Sequence, residues 1–357
     1  MTDKGPSCIA PSFLPATAVL EMTYRCNHAC IFCSCPWEAE NNGFDRRPEM
    51  DATAWKNLIT RFCGMGVCNL AFTGGEPLLK EGLEEIITHA AACTVEHIET
   101  ENGRLRSRMA PPKLYLLSNG KAMHAGILDL CRTHGINLSL SLPGLKTFSE
   151  HTAGGDPQNV LAWFKRASQA GVTTTAGVTV TRRNIHELYE TLSEALLAGA
   201  DTLLLNRFLP GGRGLKHAAD LMLNREQITL MLDTAEEVLR TANRKGSVGT
   251  ELPKCFVDPS KYTHIKVGTR CSAALDFFVI DPSGWTRVCN HSPVRLVHVD
   301  ELDTLKQHPY WRKFTMKDYL PKQCNACTHM AACDGGCREA AHITGGAVDA
   351  PDPLLVP

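Results

Sequence analysis

The 357-residue sequence predicts an α/β protein, in which a parallel sheet built from six βα units precedes a small cysteine-rich domain with a β-hairpin. Two observations predict this class. From about residue 17 to residue 245, short β-rich runs alternate with segments of helical periodicity; after about residue 250 that periodicity fades and cysteines become frequent. We therefore divide the chain into an N-terminal extension (1–16), a βα domain (17–245) and a cysteine-rich domain (246–357).

Six runs rich in β-branched and large apolar residues are the predicted strands. Between them, apolar residues recur at the spacing of one helix face, and Asn224 is placed to cap a helix that begins at Arg225. Six βα units are too few for a closed eight-stranded barrel, so a partial barrel and an open sheet both fit. In either arrangement the loops after the carboxyl ends of the strands carry function. The predicted strands lie at residues 18–23, 69–72, 114–117, 137–142, 173–180 and 202–206.

Charge and hydropathy exclude several classes of partner. The chain carries 37 basic and 38 acidic residues, a formal charge of −1, so no overall field attracts nucleic acid or an anionic membrane. No run approaches the roughly 20 consecutive apolar residues of a membrane span. The first residues lack the basic start and apolar core of a signal peptide. We expect a cytoplasmic protein with no nucleic-acid and no membrane partner.

The cysteines are numerous and unevenly distributed. There are sixteen, and in a reducing cytoplasm they are better candidates for metal ligands than for disulfides. Four lie within residues 26–35 and six within residues 271–337. The isolated Cys63, Cys93 and Cys131 fall in helical patterns, where we expect them to pack as small hydrophobic residues.

The first cysteine group occupies the loop after the first predicted strand. Cys26-x3-Cys30-x2-Cys33 supplies three thiolates, whereas a 4Fe–4S cluster normally takes four cysteine ligands. Three ligands would leave one iron open to a non-protein ligand. Alternatively, Cys35 is a fourth ligand and the group closes a tetrahedral structural zinc site. The spacing by itself allows both.

The cysteine motif with Phe32 before its third cysteine resembles that of the radical S-adenosylmethionine (SAM) superfamily, as does Gly74-Gly75-Glu76-Pro77 after the second strand. The resemblance implies a partial TIM-type (β/α)6 barrel over residues 17–245. It also implies that the open iron chelates the amino and carboxylate groups of SAM, which the glycines allow the backbone to approach. Glu76 has a second interpretation, as a negative charge at a helix N-terminus. Further polar residues implied to line the SAM cleft are Ser118, Asn119, Ser139, Ser141, Thr179 and Asn206.

The C-terminal cysteines resemble the SPASM extension of a subset of radical SAM enzymes, which carries auxiliary iron–sulfur clusters. The pattern is Cys271, Gly284 and Cys289, followed by Cys324-x2-Cys327-x5-Cys333-x3-Cys337. Residues 277–286 independently predict the β-hairpin, with its turn at residues 281–284. A pair of zinc ribbons is the structural alternative.

By the same resemblance, one auxiliary cluster uses Cys271, Cys289 and Cys337, with Cys255 as a candidate fourth ligand. The other uses Cys324, Cys327 and Cys333 with a cysteine near the C-terminus. Residues 349–357 contain no cysteine, so the sequence departs from the family pattern there. The remaining alternatives are a different ligand, an open iron or an incomplete cluster, and the candidate ligands are His342, Asp349 and Asp352.

The resemblance implies an enzyme that cleaves SAM with one electron and abstracts a hydrogen atom from its substrate. Because most SPASM members modify ribosomally made peptides, we expect a peptide maturase that forms a crosslink in a precursor peptide. Little sequence precedes the first strand, so we expect a separate leader-binding protein, together with a one-electron reductant of the flavodoxin or ferredoxin type. The alternatives are action on a tetrapyrrole or other small molecule, sulfatase maturation, and a non-catalytic zinc-binding interaction protein.

The charged residues 96–112 interrupt the βα alternation. With a glycine and two prolines among them, they predict an exposed inserted loop, either solvated or in contact with a partner.

Overall fold

The computed structural model describes residues 13–40, 44–101 and 104–356. Residues 1–12 of the predicted N-terminal extension lie outside that range. The strands are β1 (Thr17–Glu21), β2 (Asn69–Thr73), β3 (Val95–Glu101), β4 (Arg104–Ala110), β5 (Lys113–Ser118), β6 (Asn137–Ser141), β7 (Thr174–Val180), β8 (Thr202–Arg207), β9 (Gly246–Val248), β10 (Ile265–Val267), β11 (Phe277–Ile280) and β12 (Thr286–Arg287).

The helices lie mainly between the strands of the first two thirds of the chain. They are α1 (Ala52–Gly64), α2 (Leu83–Ala92), α3 (Ala125–His134), α4 (Phe148–Thr152), α5 (Pro157–Gln169), α6 (Leu188–Leu197), α7 (Ala218–Leu221), α8 (Arg225–Thr241), α9 (Pro309–Thr315) and α10 (Arg338–Gly345). Among the described residues, none of the helices is both long enough and apolar enough to cross a membrane.

The six predicted strands are confirmed and lie side by side as β1, β2, β5, β6, β7 and β8. Neighbouring strands are parallel, with Thr17 of β1 opposite Asn69 of β2. Alternate residues, such as Leu138 and Leu140 of β6, are fully buried. The mixed α/β architecture with a parallel, barrel-type sheet is therefore the one that the sequence predicts.

The predicted helix face of α1 is confirmed, since Trp55, Ile59 and Phe62 are fully buried. Asn224 caps α8 as predicted. Its side chain accepts a hydrogen bond from the Gln227 amide, and the Gln227 side chain accepts one from the Asn224 amide. This reciprocal capping box satisfies two amides that have no partner within the helix.

The sheet continues beyond these six strands at both edges. Strands β9 and β10 add to β8, and β11 pairs in parallel with β1, placing Phe277 opposite Thr17. The predicted hairpin is present as β11 and β12, and the Gly284 amide donates to the Asp281 carbonyl in its turn. The division at residue 245 stays a prediction; strands on both sides of it share one sheet.

The prediction of a loop at residues 96–112 is wrong, because β3 and β4 form a separate antiparallel ribbon in this segment. The reason is a period of two in β4, where arginines 104, 106 and 108 alternate with Leu105, Ser107 and Met109. The ribbon is exposed as expected, since Leu105 and Met109 are both about two thirds exposed.

A buried arginine at the start of α10 organises the C-terminal region. The Arg338 side chain is fully buried, and its guanidinium donates to the carbonyls of Gly335, Gly336, Val348 and Ala350. These carbonyls belong to the loops before and after α10. Arg338 therefore fixes the cysteine-rich loop relative to the C-terminal segment.

We expect Arg338→Met to lower the free energy of unfolding by about 3 kcal/mol or more, because each buried carbonyl left without a donor costs about 1–3 kcal/mol. Methionine keeps most of the side-chain volume, so the loss reports hydrogen bonds rather than a cavity. Thermal unfolding of both proteins in the same metal state measures it. Arg312→Met, on the exposed face of α9, is the control, and equal midpoints for the two variants would contradict the assignment.

Candidate active site

A cavity of about 430 Å³ opens at the carboxyl ends of the central strands. Its lining joins the first cysteine loop, the ends of β2, β5, β6, β7 and β8, and part of the C-terminal cysteine region. Residues far apart in sequence therefore share one space. The predicted site residues that line it are Cys26, Cys30, Phe32, Cys33, Gly74, Gly75, Glu76, Ser118, Asn119, Ser141, Thr179, Asn206, Cys271, Cys289 and Cys337.

Two predicted cofactor contacts, Pro77 and Ser139, do not line the cavity. Pro77 is buried and begins a short 3₁₀ turn behind Glu76. Ser139 precedes Ser141 by two residues on β6, so it shares the same face of the strand but lies further from the carboxyl end. The C-terminal cysteines that lie away from the cavity are Cys255, Cys324, Cys327 and Cys333.

The first cysteine loop is held by a glycine-rich segment that follows β8. The Gly214 amide donates to the Cys33 carbonyl at 2.9 Å, and the Arg213 guanidinium donates to the Cys30 carbonyl at 3.3 Å. At Gly212, where φ is +49°, a Cβ would lie 2.5 Å from the carbonyl oxygens of Cys33 and Cys35. Residues 211–214 were not among the predicted site residues, although Gly-Gly-Arg-Gly after a strand is the signal that could have found them.

The thiols of this loop have different environments. Burial raises the pKa of Cys30, and it also raises the pKa of the more exposed Cys26. A hydrogen bond from the Cys35 thiol lowers the pKa of Cys33. The Cys35 thiol also lies 3.9 Å from the Gly74 carbonyl oxygen. Cys35 therefore faces Cys33 and the second loop.

We expect Cys35→Ala to keep the iron of the N-terminal site, because the predicted ligands are Cys26, Cys30 and Cys33, and the Cys35 thiol contacts Cys33 and the Gly74 carbonyl oxygen. The measurement is iron and sulfide content after anaerobic purification. Cys33→Ala is the matched comparison and should lose that iron. Loss of the N-terminal iron in the Cys35 variant would instead make Cys35 a ligand.

Gly74 and Gly75 let the loops after β1 and β2 meet. The Gly75 amide donates to the Thr23 carbonyl at 2.8 Å, and the Glu76 amide donates to the Arg25 carbonyl at 2.8 Å. A Cβ on Gly75 would lie 2.2 Å from the Arg25 carbonyl oxygen. The glycines are thus required by backbone contact within the protein, in addition to any contact with a ligand.

Glu76 is almost fully buried beside the cavity. Its carboxylate accepts hydrogen bonds from the Ser118 hydroxyl at 2.8 Å, the Asn119 amide at 2.8 Å and the Leu78 amide at 3.2 Å. Burial raises its pKa. The contact with Leu78 makes Glu76 the N-cap of the 3₁₀ turn at Pro77–Leu79, while the other two contacts fix the loop after β5. The contact of Glu76 with SAM stays a prediction.

The C-terminal region contributes Cys271, Cys289 and Cys337 to the lining of the same cavity. The Cys271 amide donates to Asp334 at 2.8 Å, and the Cys337 amide donates to Asp352 at 2.7 Å. Asp352 is fully buried and forms a 2.5 Å ion pair with Arg207. Three polar residues that the sequence did not single out also line the cavity, namely Glu251, His291 and Glu339.

His342 is hydrogen-bonded to two neighbours, one of which, Glu339, lines the cavity. Its Nδ1 is 2.9 Å from the Tyr310 hydroxyl and 3.1 Å from Glu339, and the hydrogen bond with Glu339 raises the His342 pKa. The Tyr310 hydroxyl donates to Glu339 at 2.8 Å. Across residues 13–40, 44–101 and 104–356, no three His, Cys, Asp or Glu side chains are grouped closely enough to hold a single metal ion.

His28, within the first cysteine loop, is buried and lines the cavity. Its ring packs edge-on against Phe148. In the described part of the chain, neither ring nitrogen finds a hydrogen-bond partner. A buried polar group without a partner is costly, so the cavity is suited to a polar ligand.

A family comparison agrees with this geometry. Residues 20–195 match the model of the Radical SAM superfamily. This part of the chain is a radical SAM domain. The match begins in β1 and ends in α6, so it includes the cysteine motif and the Gly74–Gly75 loop.

Similar proteins extend the comparison over nearly the whole chain. The PqqA peptide cyclase of Xanthomonas campestris pv. campestris (strain 8004) is 28% identical over 356 residues, covering 95% of this chain and 86% of the relative. The PqqA peptide cyclase of Granulibacter bethesdensis is 24% identical over 351 residues, covering 95% of this chain and 86% of the relative.

Among solved structures, Streptococcus suis SuiB bound to S-adenosylmethionine superposes with a TM-score of 0.69 at 14% identity. The match covers 96% of this chain and 77% of SuiB. Histidine-tagged anSMEcpe with bound AdoMet superposes with a TM-score of 0.67 at 16% identity. That match covers 95% of this chain and 90% of anSMEcpe. These structures establish the shared fold.

Proposed function

We propose that this protein is a radical SAM enzyme of the SPASM type, which abstracts a hydrogen atom from a ribosomally made precursor peptide and forms a crosslink in it. The observation that carries the proposal is that the N-terminal cysteine loop and Cys271, Cys289 and Cys337 line one and the same cavity. The relatives named PqqA peptide cyclase support a peptide substrate. So does SuiB, which has been solved with its precursor peptide SuiA.

The residues present fit the cofactors of this family. Cys26, Cys30 and Cys33 would hold a 4Fe–4S cluster with one iron left for SAM, and His28 offers unpaired ring nitrogens in the same cavity. When bound, the cluster supplies one electron that cleaves SAM to methionine and the deoxyadenosyl radical. The buried Glu76, with Ser118 and Asn119, would fix the polar side of the SAM site.

The protein's own contribution is to bind, orient and shield the reactants. The cavity at the carboxyl ends of the strands would limit the access of water to the reacting centre, and the loops that line it would decide which hydrogen is nearest. Forming one crosslink removes two hydrogen atoms from the peptide. One leaves on deoxyadenosine, and the other leaves as a proton and an electron. Cys271, Cys289 and Cys337, which line the same cavity, would hold an auxiliary cluster that can accept that electron.

The proposal includes two further partners. A separate leader-binding protein would present the precursor peptide, and an external flavodoxin- or ferredoxin-type protein would supply the electron for each SAM cleavage. Several clusters within one chain would give electrons a route between the cavity and the surface.

The test is anaerobic incubation of the reconstituted protein with SAM, dithionite and a synthetic precursor peptide encoded beside its gene. We expect methionine, deoxyadenosine and a peptide lighter by two hydrogen atoms. Mass spectrometry of the peptide and chromatography of the nucleoside measure these products. Omitting dithionite is the control.

Three outcomes separate the proposal from its alternatives. Zinc without iron in anaerobically purified protein would favour the non-catalytic zinc-binding protein. Iron without deoxyadenosine would contradict a radical SAM enzyme. If deoxyadenosine formed, the peptide stayed unchanged and a tetrapyrrole were converted, the substrate would be the tetrapyrrole and not the peptide.

A further inference from the structure

The C-terminal cysteines fall into two groups in space. The proximal group is Cys271, Cys289 and Cys337, whose side chains are all buried and all line the cavity. The distal group, which lies away from the cavity, contains Cys324, Cys327 and Cys333. The question is which group Cys255 joins, since the resemblance placed it with the proximal one.

The backbone contacts place Cys255 beside the distal group. The amide of its neighbour Lys254 donates to the Cys333 sulfur at 3.4 Å. The Gly335 amide donates to the same sulfur at 3.4 Å, so two backbone amides converge on it. Hydrogen bonds from amides to a cysteine sulfur are typical of iron–sulfur sites, where they tune the cluster.

The loop that carries Cys255 is held in this position. The Phe256 amide donates to the Pro253 carbonyl at 2.8 Å, which closes a tight turn around Cys255. The Arg225 guanidinium, at the start of α8, donates to the Phe256 carbonyl at 3.2 Å and lies over the Phe256 ring. The Cys255 side chain itself remains exposed, so it is accessible to an incoming cluster.

We propose that Cys255 completes the distal group, so that Cys255, Cys324, Cys327 and Cys333 bind one iron–sulfur cluster. Cys255 then takes the place of the C-terminal cysteine that the family pattern expects and this chain lacks. The inference rests on the proposed function, because it needs auxiliary clusters. Four thiolates give that cluster a complete ligand set.

Two of the other candidate ligands are engaged elsewhere. Asp352 uses one carboxylate oxygen for Arg207 and the Cys337 amide, and the other for the Leu354 amide. His342 is hydrogen-bonded to Tyr310 and Glu339. With Cys255 in the distal group, three cysteines would remain to hold the proximal cluster.

The test is the additivity of cysteine substitutions, measured as iron and sulfide content and by Mössbauer spectra of anaerobically reconstituted protein. Cys255→Ala leaves the distal group with three thiolates, so it should lose part or all of one 4Fe–4S cluster of three, up to about a third of the iron, and should change the Mössbauer spectrum of that cluster. When Cys255→Ala is combined with the distal double variant Cys324→Ala/Cys327→Ala, the triple variant should contain as much iron as the double variant. When it is combined with the proximal double variant Cys271→Ala/Cys289→Ala, the triple variant should lose the iron of a further cluster, because the two sites are independent.

The assignment would be overturned if Cys255→Ala removed further iron from the distal double variant and none from the proximal double variant. Cys255 would then belong to the proximal cluster. Unchanged iron in Cys255→Ala would also overturn it. Cys93→Ala is the control for a partly exposed cysteine outside both groups. Failure of the proposed function is separate, since it would appear in the unsubstituted protein as zinc or as absence of deoxyadenosine.

Discussion

A variant in which Cys26, Cys30 and Cys33 are all alanine is expected to form no deoxyadenosine from SAM and dithionite. These three thiols sit on one loop of the cavity wall, and without them no cluster remains beside the SAM site to supply the electron. The measurement is deoxyadenosine per protein per hour under anaerobic conditions, and the rate should fall to that of a reaction without enzyme.

The same variant should keep the iron of the C-terminal cysteines. Its loop is held largely by backbone hydrogen bonds, such as that from Gly214 to Cys33, which the substitutions do not remove. Iron content should therefore fall by about one cluster in three. Loss of all iron would mean that the three cysteines support the fold. Continued deoxyadenosine formation would place SAM cleavage at another cluster.

Gly75→Ala is expected to impair SAM cleavage almost as strongly without touching a cysteine. The new Cβ would lie 2.2 Å from the Arg25 carbonyl oxygen and 2.7 Å from its carbonyl carbon, which are backbone atoms and cannot turn away. Overpacking of this kind costs about 1–3 kcal/mol. The strain is relieved by moving the residue before Cys26, so we expect a rate loss of about a hundredfold, the effect of a misplacement near 1 Å.

Gly64→Ala is the matched control. Gly64 ends α1, and a Cβ there would meet nothing within 4 Å, so this variant should cleave SAM at the unchanged rate. For both variants the electron paramagnetic resonance spectrum of the reduced N-terminal cluster, with and without SAM, complements the rate. A Gly75 variant with an unchanged spectrum and rate would mean that the loop after β1 relaxes at no cost.

Much of the fold could be predicted because it depends on local pattern. The period-two runs of β6 and β7 and the apolar face of α1 are visible in a few consecutive residues, and the Asn224 cap needs only the residue three positions on. The β3–β4 ribbon is not among the predicted elements, because the charged residues of this segment obscure the alternation along β4. The sequence signal that could have found it is Asn102-Gly103, a dipeptide typical of hairpin loops.

Residues of the cavity that belong to contiguous motifs could be predicted from the sequence. Residues that reach the cavity or hold its loops only through tertiary contacts could not. Gly212 and Arg213 hold the cysteine loop from nearly 180 residues away in the chain, and Glu251, His291 and Glu339 reach the cavity only because the C-terminal region folds over it. Such residues follow no regular spacing along the sequence. They belong to the site because the fold brings them close to it in three dimensions.

The sequence by itself determined the parallel α/β core, the cysteine loop after the first strand and the presence of a second cysteine array, because these follow from periodicity and short-range spacing. Only the tertiary structure decided how that array divides. Along the chain Cys255 precedes Cys271 by sixteen residues, yet the turn at Pro253 and the contact of Lys254 with Cys333 carry it to the distal group. Parallel pairing of β11 with β1 brings the region of the proximal cysteines to the cavity, and sequence spacing cannot express such a long-range contact.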